Sequence, residues 1–304
     1  MKKIKIGIPR AFTYHRYGVL WKTFFESLGC KIVLSPETSR EIIDLGINNT
    51  IDECCLSYKI YIGHVLYLNN KCDYIVVARI CDYGKKDKVC TRFNATYDNI
   101  KYLIPNSKIL SYNIENTKFK FEFLGFMHMG LRISKNPIKI IYSYLLAKHK
   151  QKYYDLNKEA EQNNKLQKKN KKILILSHYY NIRDKFISNY IINYLESENI
   201  SILFSNNLDK KLASSFSEYF SETLYWKYSK EMIGALYYYR NQIDGVIFIS
   251  TYTCGVDSLV NNLAILKNKQ LPILNLIIDE NITDLSLETK LESFLDIVKG
   301  EYND

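Results

Sequence analysis

Short apolar runs and amphipathic segments alternate along the first third of the chain. Segments with apolar residues at helical spacing separate runs that have the length and the Ile and Val content of buried strands. The pattern predicts strands over residues 4–8, 31–34, 74–80 and 108–112, and helices over residues 17–28, 40–45 and 58–69. Such alternation is typical of a parallel sheet with helices on both faces.

The alternation stops at residue 118 and resumes at residue 171. The segment between is first aromatic, then apolar and helical over residues 138–147, then polar and basic. After it, the pattern predicts strands over residues 173–176, 200–204, 246–250 and 271–278, and helices over residues 184–196, 228–241, 257–266 and 287–298. We therefore expect an α/β protein with two Rossmann-like (flavodoxin-like) parallel-sheet domains, residues 1–117 and 171–304, joined by a helical insert and basic connector, residues 118–170.

The composition is that of an ordinary soluble globular protein, with 47% hydrophobic and 24% charged residues among 304. The net charge of +10 is uneven, because residues 148–172 contain nine lysines and only three acidic residues. This basic segment is either a solvated, partly helical connector or a surface that receives an acidic protein partner or an anionic substrate. Nucleic acid is not an expected partner, since no nucleic-acid-binding motif accompanies the segment.

We expect neither a membrane span nor an export signal. Residues 4–8 form only a short apolar run before Pro9, and the run over residues 138–147 is about half as long as a membrane-spanning helix. Seven cysteines, an odd number, without an export signal are typical of the reducing cytoplasm, where disulfide frameworks do not persist. A cytoplasmic location is therefore the expectation.

The turns that follow the first strand of each half lack the glycines of nucleotide-binding loops. Residues 9–12 read Pro-Arg-Ala-Phe, and residues 177–180 read Ser-His-Tyr-Tyr. The pair Gly84-Lys85 is followed by Lys86, where a P-loop needs Ser or Thr. Direct binding of a dinucleotide or ATP is therefore not expected.

Several cysteines stand where predicted strands end or helices begin. Cys254 follows the apolar run 244–250, and Cys81 follows the run 73–80, with Cys90 nine residues further on. Cys55 lies near the start of a predicted helix, where the helix dipole favours a thiolate. Because ligands of open α/β sheets collect at the carboxyl ends of strands, Cys55, Cys90 and Cys254 form a candidate ligand set for zinc or an iron–sulfur cluster. Their spacing matches neither structural zinc knuckles nor ferredoxins.

The other cysteines are weaker candidates. Cys54 adjoins Cys55, and successive side chains point apart, so we expect one of the two to be a ligand and prefer Cys55. Cys30 and Cys72 precede strands and lie at the amino edge of a parallel sheet, where we expect structural roles. For any one cysteine the alternative is a small buried hydrophobic residue.

Four nitrogen-bearing side chains are candidates for chemistry near the thiols. His64 follows Gly63 on a predicted helix and is either a satisfied core residue or a proton donor to a bound substrate. His178 follows the first strand of the second half, where a local hydrogen bond in the turn is the alternative. Arg10 and Arg79 stand at strand ends, where they hold an anionic group or pair with a carboxylate.

Motifs spread over nearly the whole chain, except the basic segment, resemble the 2-hydroxyacyl-CoA dehydratase-related proteins, a group associated with the dehydratase activases. They include Lys-Ile-Gly-Ile-Pro-Arg-Ala at 5–11, Leu-Trp-Lys-Thr-Phe-Phe at 20–25, Asp-Glu-Cys-Cys-Leu at 52–56, Gly-His-Val at 63–65, Ala-Arg-Ile at 78–80, Cys90, Asp-Gly at 244–245, Cys-Gly at 254–255, Asp-Ser at 257–258 and Leu-Glu-Ser-Phe at 291–294.

The resemblance implies a [4Fe–4S] cluster held in a cleft by Cys55, Cys90 and Cys254, with a fourth iron position open to water or substrate. It implies a separate ATP-dependent activator protein that injects one low-potential electron, since this chain lacks the activator's ATPase motifs. Relatives are oxygen-sensitive; the dehydratases remove water from 2-hydroxyacyl-CoA, and others carry a double-cubane cluster and reduce small molecules. A double cubane here would need further thiols, of which Cys54 and Cys81 are nearest.

The chain departs from the family pattern beside two of these cysteines. Thr-Arg-Phe at 91–93 replaces the usual Pro-Lys-Phe, and Tyr-Thr-Cys at 252–254 replaces Phe-x-Cys. Three hypotheses follow. In the first, the protein is a dehydratase-like lyase or low-potential reductase that acts on an acyl-CoA or another small molecule, with His64, Arg10 and Arg79 in proton transfer and anion binding. In the second, it is a non-catalytic, cluster-bearing electron carrier or subunit that works with a homologous second subunit or as a homodimer. In the third, it is a cluster-free α/β binding protein.

Overall fold

The computed structural model describes residues 3–268 and 270–300, and the chain divides into two compact units, Met1–Asp155 and Leu156–Asp304. Each unit contains one four-stranded sheet in which all the strand pairs are parallel. The predicted fold class, an α/β protein with two Rossmann-like parallel-sheet domains, is confirmed.

The sheet of the first unit has the strand order β2-β1-β3-β4. Ile6 and Ile8 of the first strand are fully buried, because helices cover both faces of the sheet. The strands are β1 (Lys5–Ile8), β2 (Lys31–Leu34), β3 (Tyr74–Asp82) and β4 (Ile109–Glu115), and the helices are α1 (Tyr14–Ser27), α2 (Arg40–Ile47), α3 (Leu56–Leu68), α4 (Thr91–Leu103), α5 (Glu122–Leu131) and α6 (Pro137–Leu166).

The sheet of the second unit repeats this topology in the order β6-β5-β7-β8. Its central strand β7 is buried at every position, as expected for a strand covered on both faces. The strands are β5 (Lys172–Leu176), β6 (Ser201–Phe204), β7 (Gly245–Thr251) and β8 (Ile273–Ile278), and the helices are α7 (Tyr179–Ile182), α8 (Lys185–Ser197), α9 (Lys210–Phe216), α10 (Lys227–Tyr239), α11 (Gly255–Lys267) and α12 (Asp284–Lys299).

The strand order defines one switch point in each sheet. The chain leaves β1 towards β2 on one side and reaches β3 on the other, and it does the same at β5, β6 and β7. The turns after β1 and β3, and those after β5 and β7, therefore diverge at the carboxyl edge and leave a crevice, which is where open α/β sheets bind ligands.

Two glycines allow α2 and α3 to cross at close range. A Cβ atom on Gly46 would lie 1.9 Å from the carbonyl oxygen of Lys59, and one on Gly63 would lie 1.9 Å from that of Ile42. Real Cβ atoms do not approach backbone oxygen so closely, so only glycine fits at either position. Close helix packing therefore explains the glycine of the Gly63-His64 motif.

Helix α6 fills most of the segment 118–170 and contains the division between the two units. It is one continuous helix of 30 residues, about 45 Å long at 1.5 Å per residue. Its first half packs on the first unit, where Gln151 Oε1 accepts from the backbone N–H of Leu20 at 3.1 Å. Its end packs on the second unit, where Gln162 Nε2 donates to the Tyr239 hydroxyl at 3.0 Å. The basic segment is therefore helical as far as Leu166.

The sequence pattern missed α4, α5, α7 and α9 and ended β3 and β4 too early. Helix α4 begins directly after Cys90, but its exposed polar residues obscure the helical spacing. Strand β3 continues to Asp82, so Cys81 lies within the strand and not beyond its end.

Candidate functional site

The three predicted cysteine ligands share one local structure. Cys55, Cys90 and Cys254 each occupy the N-cap position, directly before α3, α4 and α11 respectively. Their backbones are extended, with ψ of 149°, 141° and 101°, and all three residues are partly exposed. The N–H groups and the dipole of a helix N-terminus stabilise negative charge, so these positions suit a thiolate that binds a metal or attacks an electrophile.

Cys90 and Cys254 occupy equivalent positions in the two units. Cys90 begins the helix after β3, and Cys254 begins the helix after β7, the strands of corresponding place in their sheets. Cys55 begins the helix before β3, and Trp226 caps the corresponding helix of the second unit. The first unit thus presents two N-cap thiols at the carboxyl edge of its sheet, and the second presents one.

Polar and cationic contacts join the starts of α3 and α4. Asn99 of α4 donates to the Tyr58 hydroxyl of α3 at 2.7 Å, and the Arg92 guanidinium lies 5.5 Å from the centroid of the same ring. Arg92 Nη2 also donates to the carbonyl of Glu53, two residues before Cys55, at 3.4 Å. These contacts hold a positive charge beside the two helix starts that carry Cys55 and Cys90. Sequence reasoning noted Arg92 only as a departure from a family pattern.

An aromatic cluster underlies the same two helix starts. Phe12, in the turn after β1, stacks on Phe93 with ring centroids 4.7 Å apart and on Tyr61 at 5.1 Å. Phe12 is 3% exposed and adopts a positive φ of 47°. Because Phe12 follows β1, the cluster lies at the switch point of the first sheet, where glycine-rich turns of other such folds receive a ligand's phosphates.

His64 lies in the interior of the first unit. It is fully buried, with Nδ1 2.9 Å from Ser35 Oγ and Nε2 3.0 Å from Thr38 Oγ1. Burial, and secondarily the nearby charge of Arg10, lowers the pKa of His64 from 6.5 to about 3. Both ring nitrogens are engaged and the ring is neutral near pH 7, so this placement favours the core role over proton donation to a bound molecule.

Arg10 and Arg79 are partly exposed and have carboxylate neighbours. Arg10 Nη1 lies 3.4 Å from Glu37 Oε1, while within the described residues its buried Nε has no hydrogen-bond partner. Arg79 donates from Nε to Asn94 Oδ1 at 3.0 Å, and its Nη1 lies 3.7 Å from Asp98. Both arginines therefore lie beside a carboxylate, which was one of the two alternatives expected from the sequence. Anion binding by either arginine stays a prediction.

The remaining cysteines differ from the three N-cap thiols. Cys54 is 3% exposed, and Cys81 donates from Sγ to Asn94 Oδ1 at 2.9 Å. Burial is the main reason that the pKa of Cys81 is raised. Burial also raises the pKa of Cys30 to about 11. Cys72 packs against Gly7, and its Sγ donates to the carbonyl of Leu68 at 3.5 Å. Neutral thiols are favoured at Cys30 and Cys81, which makes both poorer ligands than exposed N-cap thiols.

The second unit contains a buried polar pair that sequence reasoning missed. His178 Nε2 lies 2.7 Å from Asp257 Oδ1, although the ring is not aligned for a good hydrogen bond, and the two side chains are 6% and 3% exposed. His178 follows β5 and Asp257 lies in the first turn of α11, so the pair spans the switch point of the second sheet beside Cys254. Tyr180 stacks on His178 at 5.1 Å. Because β5 lies beside β7, the residues that follow these two strands are close in space. Recognising this strand order would have predicted that His178 lies near Asp257.

The described residues do not by themselves assemble a metal site. Among residues 3–268 and 270–300, no three His, Cys, Asp or Glu side chains are grouped so that they could hold a metal ion. The donor chemistry of three partly exposed N-cap thiols fits an iron–sulfur cluster, whereas each unit alone supplies fewer than three of them. Over the same part of the chain, no helix is long and apolar enough to cross a membrane.

The fold and the thiols define a class: α/β proteins with two parallel-sheet units and cysteines at the helix starts of the carboxyl edges. Residues 5–208 match the family described as CoA enzyme activase uncharacterised domain, and the chain belongs to this family. The match agrees with the resemblance to activase-associated proteins, and the closer relation to the dehydratases stays a prediction. A comparison with curated proteins found no match.

Proposed function

We propose that this protein is an iron–sulfur protein that works with a CoA enzyme activase system. In this proposal Cys55, Cys90 and Cys254 ligate a [4Fe–4S] cluster, and a separate ATP-dependent activator protein supplies a low-potential electron. The observation that carries the proposal is the shared N-cap position of the three cysteines. Membership of the family associates the chain with CoA enzyme activases. When bound, the cluster would supply a group that accepts and passes on single electrons.

The surrounding residues have defined tasks in this proposal. The N-termini of α3, α4 and α11 stabilise the negative charge of the three thiolates. Arg92 adds a positive charge beside two of them, and the packed rings of Phe12 and Phe93 exclude water from the floor of the crevice. His64 receives no proton-transfer task, because it is buried with both nitrogens engaged.

Two forms of this function differ in whether the protein itself binds a substrate. In the catalytic form, a small molecule or an acyl-CoA binds near the cluster, its anionic group is held by Arg10 or Arg79, and the protein acts as a lyase or low-potential reductase. In the other form, the protein is a cluster-bearing carrier or subunit that acts with a homologous second subunit or as a homodimer. Iron that is reducible by an activator, without turnover of any acyl-CoA, would identify the carrier.

A second candidate function is that of a cluster-free α/β binding protein. The observation that favours it is that the described residues contain no group of three side chains arranged to hold a metal. In this case the cysteines are packing residues, and the pair formed by His178 and Asp257 marks the ligand crevice of the second unit. This candidate predicts a colourless protein that tolerates replacement of Cys55 or Cys254.

The test is anaerobic purification of the full chain, with iron and acid-labile sulfide counted per chain and the visible spectrum recorded. We expect about four iron atoms and a brown absorbance that bleaches in air, as for one [4Fe–4S] cluster. Cys55→Ser, Cys90→Ser and Cys254→Ser should each lose most of the iron, because each removes a thiolate ligand.

Cys72→Ser is the matched control. It makes the same chemical change at the amino edge of the first sheet, and serine keeps a donor for the Leu68 carbonyl. The control should retain its iron. A wild-type protein that stays colourless after reconstitution would overturn the proposal, as would equal iron loss in Cys72→Ser and the three N-cap variants.

A further inference from the structure

The first unit exposes large apolar side chains along two neighbouring helices. Leu124 and Leu131 belong to α5, and Ile138, Tyr142 and Leu145 belong to the first half of α6. All five residues are exposed, Ile138 to 78% and Tyr142 to 65%. We call these five residues the α5–α6 face.

The exposed residues of α6 share one side of that helix. At about 100° per residue, Ile138, Tyr142 and Leu145 lie within about 60° of one another around the axis. The opposite side packs on the first unit, where Ile140 and Ala147 are fully buried. The apolar stripe of α6 therefore points outward and adds nothing to the core.

Contacts between α5 and α6 join their outward sides into one surface. At the start of α5, Phe123 packs on Tyr144 with ring centroids 5.4 Å apart, and Glu122 accepts from the Tyr144 hydroxyl at 3.0 Å. At the end of α5, Gly130 lies against Ile140, near the start of α6. The two helices therefore run antiparallel and side by side. Contiguous apolar patches of more than a few hundred Å² are rare on monomeric proteins and mark sites that bind a protein or a membrane.

Positive charge surrounds the α5–α6 face. Residues 115–152 contain eight cations and two carboxylates, which gives this segment a net charge of +6 with histidine neutral. On α6, Lys139 and Lys150 flank the apolar stripe on one side, and Lys148 flanks it on the other. A second copy of this chain would bring the same positive charge to the surface. The charge therefore disfavours self-association and favours an anionic partner.

An exposed aromatic turn stands directly before α5. The backbone groups of Glu115 and Lys120 bond to each other at 2.9 and 3.1 Å and close the turn. Phe119 lies in this turn with a φ of 59° and is 76% exposed. A positive φ is costly for a bulky residue, and a ring exposed to this extent contributes little to the stability of the fold. Such a costly, exposed residue suits a role in binding.

We propose that the α5–α6 face, together with Phe119, binds the surface of an anionic lipid bilayer. The apolar side chains enter the boundary between headgroups and acyl chains, and the surrounding positive charge attracts the anionic headgroups, as in amphipathic interfacial helices. A protein that lies on a bilayer needs no helix that spans it. This role is independent of any iron–sulfur cluster.

Two features favour a bilayer over an acidic protein as the partner. Ile138 and Phe119 protrude from the surface, and a fluid bilayer accommodates protruding side chains without a complementary pocket. The eight cations of residues 115–152 are seven lysines and one arginine. Protein–protein interfaces are depleted in lysine and enriched in arginine, whereas interfacial helices are rich in both.

The test is co-sedimentation of the full-length protein with lipid vesicles. One set contains equal amounts of phosphatidylglycerol and phosphatidylcholine, and the other contains phosphatidylcholine alone. We expect the protein to sediment with the anionic vesicles and not with the neutral ones. Raising the salt concentration from about 0.1 to about 0.5 M should weaken this binding about tenfold or more, because salt screens the attraction between surface charges.

Two double variants separate the apolar contribution from the charge. Ile138→Gln/Leu145→Gln removes two apolar side chains of the face at constant net charge and should weaken vesicle binding about tenfold or more. Leu266→Gln/Leu285→Gln is the matched control at positions of α11 and α12 that are 73% and 74% exposed, and it should change binding less than about twofold. The replaced side chains are all exposed, so both variants should keep the parent's melting temperature.

Four results would overturn the proposal. They are equal binding to both kinds of vesicle, no binding to anionic vesicles, equal weakening by the two double variants, and binding that Ile138→Gln/Leu145→Gln leaves unchanged, since net charge alone would then explain it. Dimers in sedimentation equilibrium that Ile138→Gln/Leu145→Gln abolishes would assign the face to a second copy instead. Binding of a synthetic helical peptide rich in Leu and Glu, without binding of vesicles, would assign it to an acidic protein.

Discussion

The burial of His64 leads to a prediction about stability at mildly acidic pH. The ring is fully buried and bonded to Ser35 and Thr38, so the folded protein holds it in the neutral form. In the unfolded chain the same imidazole regains water and its ordinary pKa of 6.5, compared with about 3 in the folded state. Since the pKa is lower in the folded state, the unfolded state binds a proton that the native state cannot accept as the pH falls below 6.5.

The size of the effect follows from the two pKa values. Above about pH 7 His64 contributes no pH dependence, and between pH 6.5 and 3 each pH unit removes about 1.4 kcal/mol of stability. At pH 5 the loss from this one residue is therefore about 2 kcal/mol. This is a sizeable fraction of the total stability of about 5–15 kcal/mol that is usual for a protein domain.

Urea unfolding between pH 5 and 8 measures this loss in the first unit. Trp21, 1% exposed, belongs to that unit, and Trp226 is the only other tryptophan, so a Trp226→Phe background makes the fluorescence report on the surroundings of Trp21. His64→Gln keeps hydrogen-bonding atoms for Ser35 and Thr38 but does not titrate. Its stability should decline less between pH 7 and 5, by about 2 kcal/mol, than that of the parent.

The comparison of slopes isolates His64, because the other titratable groups are the same in both proteins. His64→Gln need not match the parent in absolute stability at pH 7, since only the change with pH is compared. Equal slopes for the parent and His64→Gln would refute the reasoning, because they would mean that the folded protein accepts a proton at His64 without penalty.

Two further variants test the packing of each unit. Gly63→Ala should destabilise the first unit by about 3 kcal/mol or more in urea unfolding, because its Cβ would lie 1.9 Å from the Ile42 carbonyl oxygen. Gly255→Ala is the control and should change stability little, because its Cβ meets no atom within 4 Å. Equal effects of the two variants would contradict the close helix crossing. Asp257→Ala should destabilise the second unit by about 1–3 kcal/mol, because it removes the buried carboxylate beside His178 Nε2 and leaves that ring nitrogen without a polar neighbour. An unchanged unfolding midpoint would show that the pair contributes nothing.

The sequence by itself determined the sheets and the edge of the sheet near which Cys90 and Cys254 lie. A strand covered on both faces is apolar along most of its length, and this made β1, β3, β5 and β7 visible as short Ile- and Val-rich runs. Parallel strands then require connecting helices, which begin at the carboxyl edge of the sheet and lead the chain back to the amino edge. Placement of Cys90 and Cys254 near that edge followed from chain order alone.

Tertiary structure decided which of these residues meet. The pairing of His178 with Asp257 depends on β5 lying beside β7. The hydrogen bond from the Phe204 backbone N–H to Gln162 Oε1 depends on the end of α6 packing next to β6. The burial of His64 depends on the close crossing of two helices, which neighbouring residues in the sequence do not reveal. Local sequence patterns record whether a position is buried, because burial acts on each residue separately. Contacts between residues 42 to 79 positions apart instead depend on strand order and helix packing, which arise only when the whole unit folds.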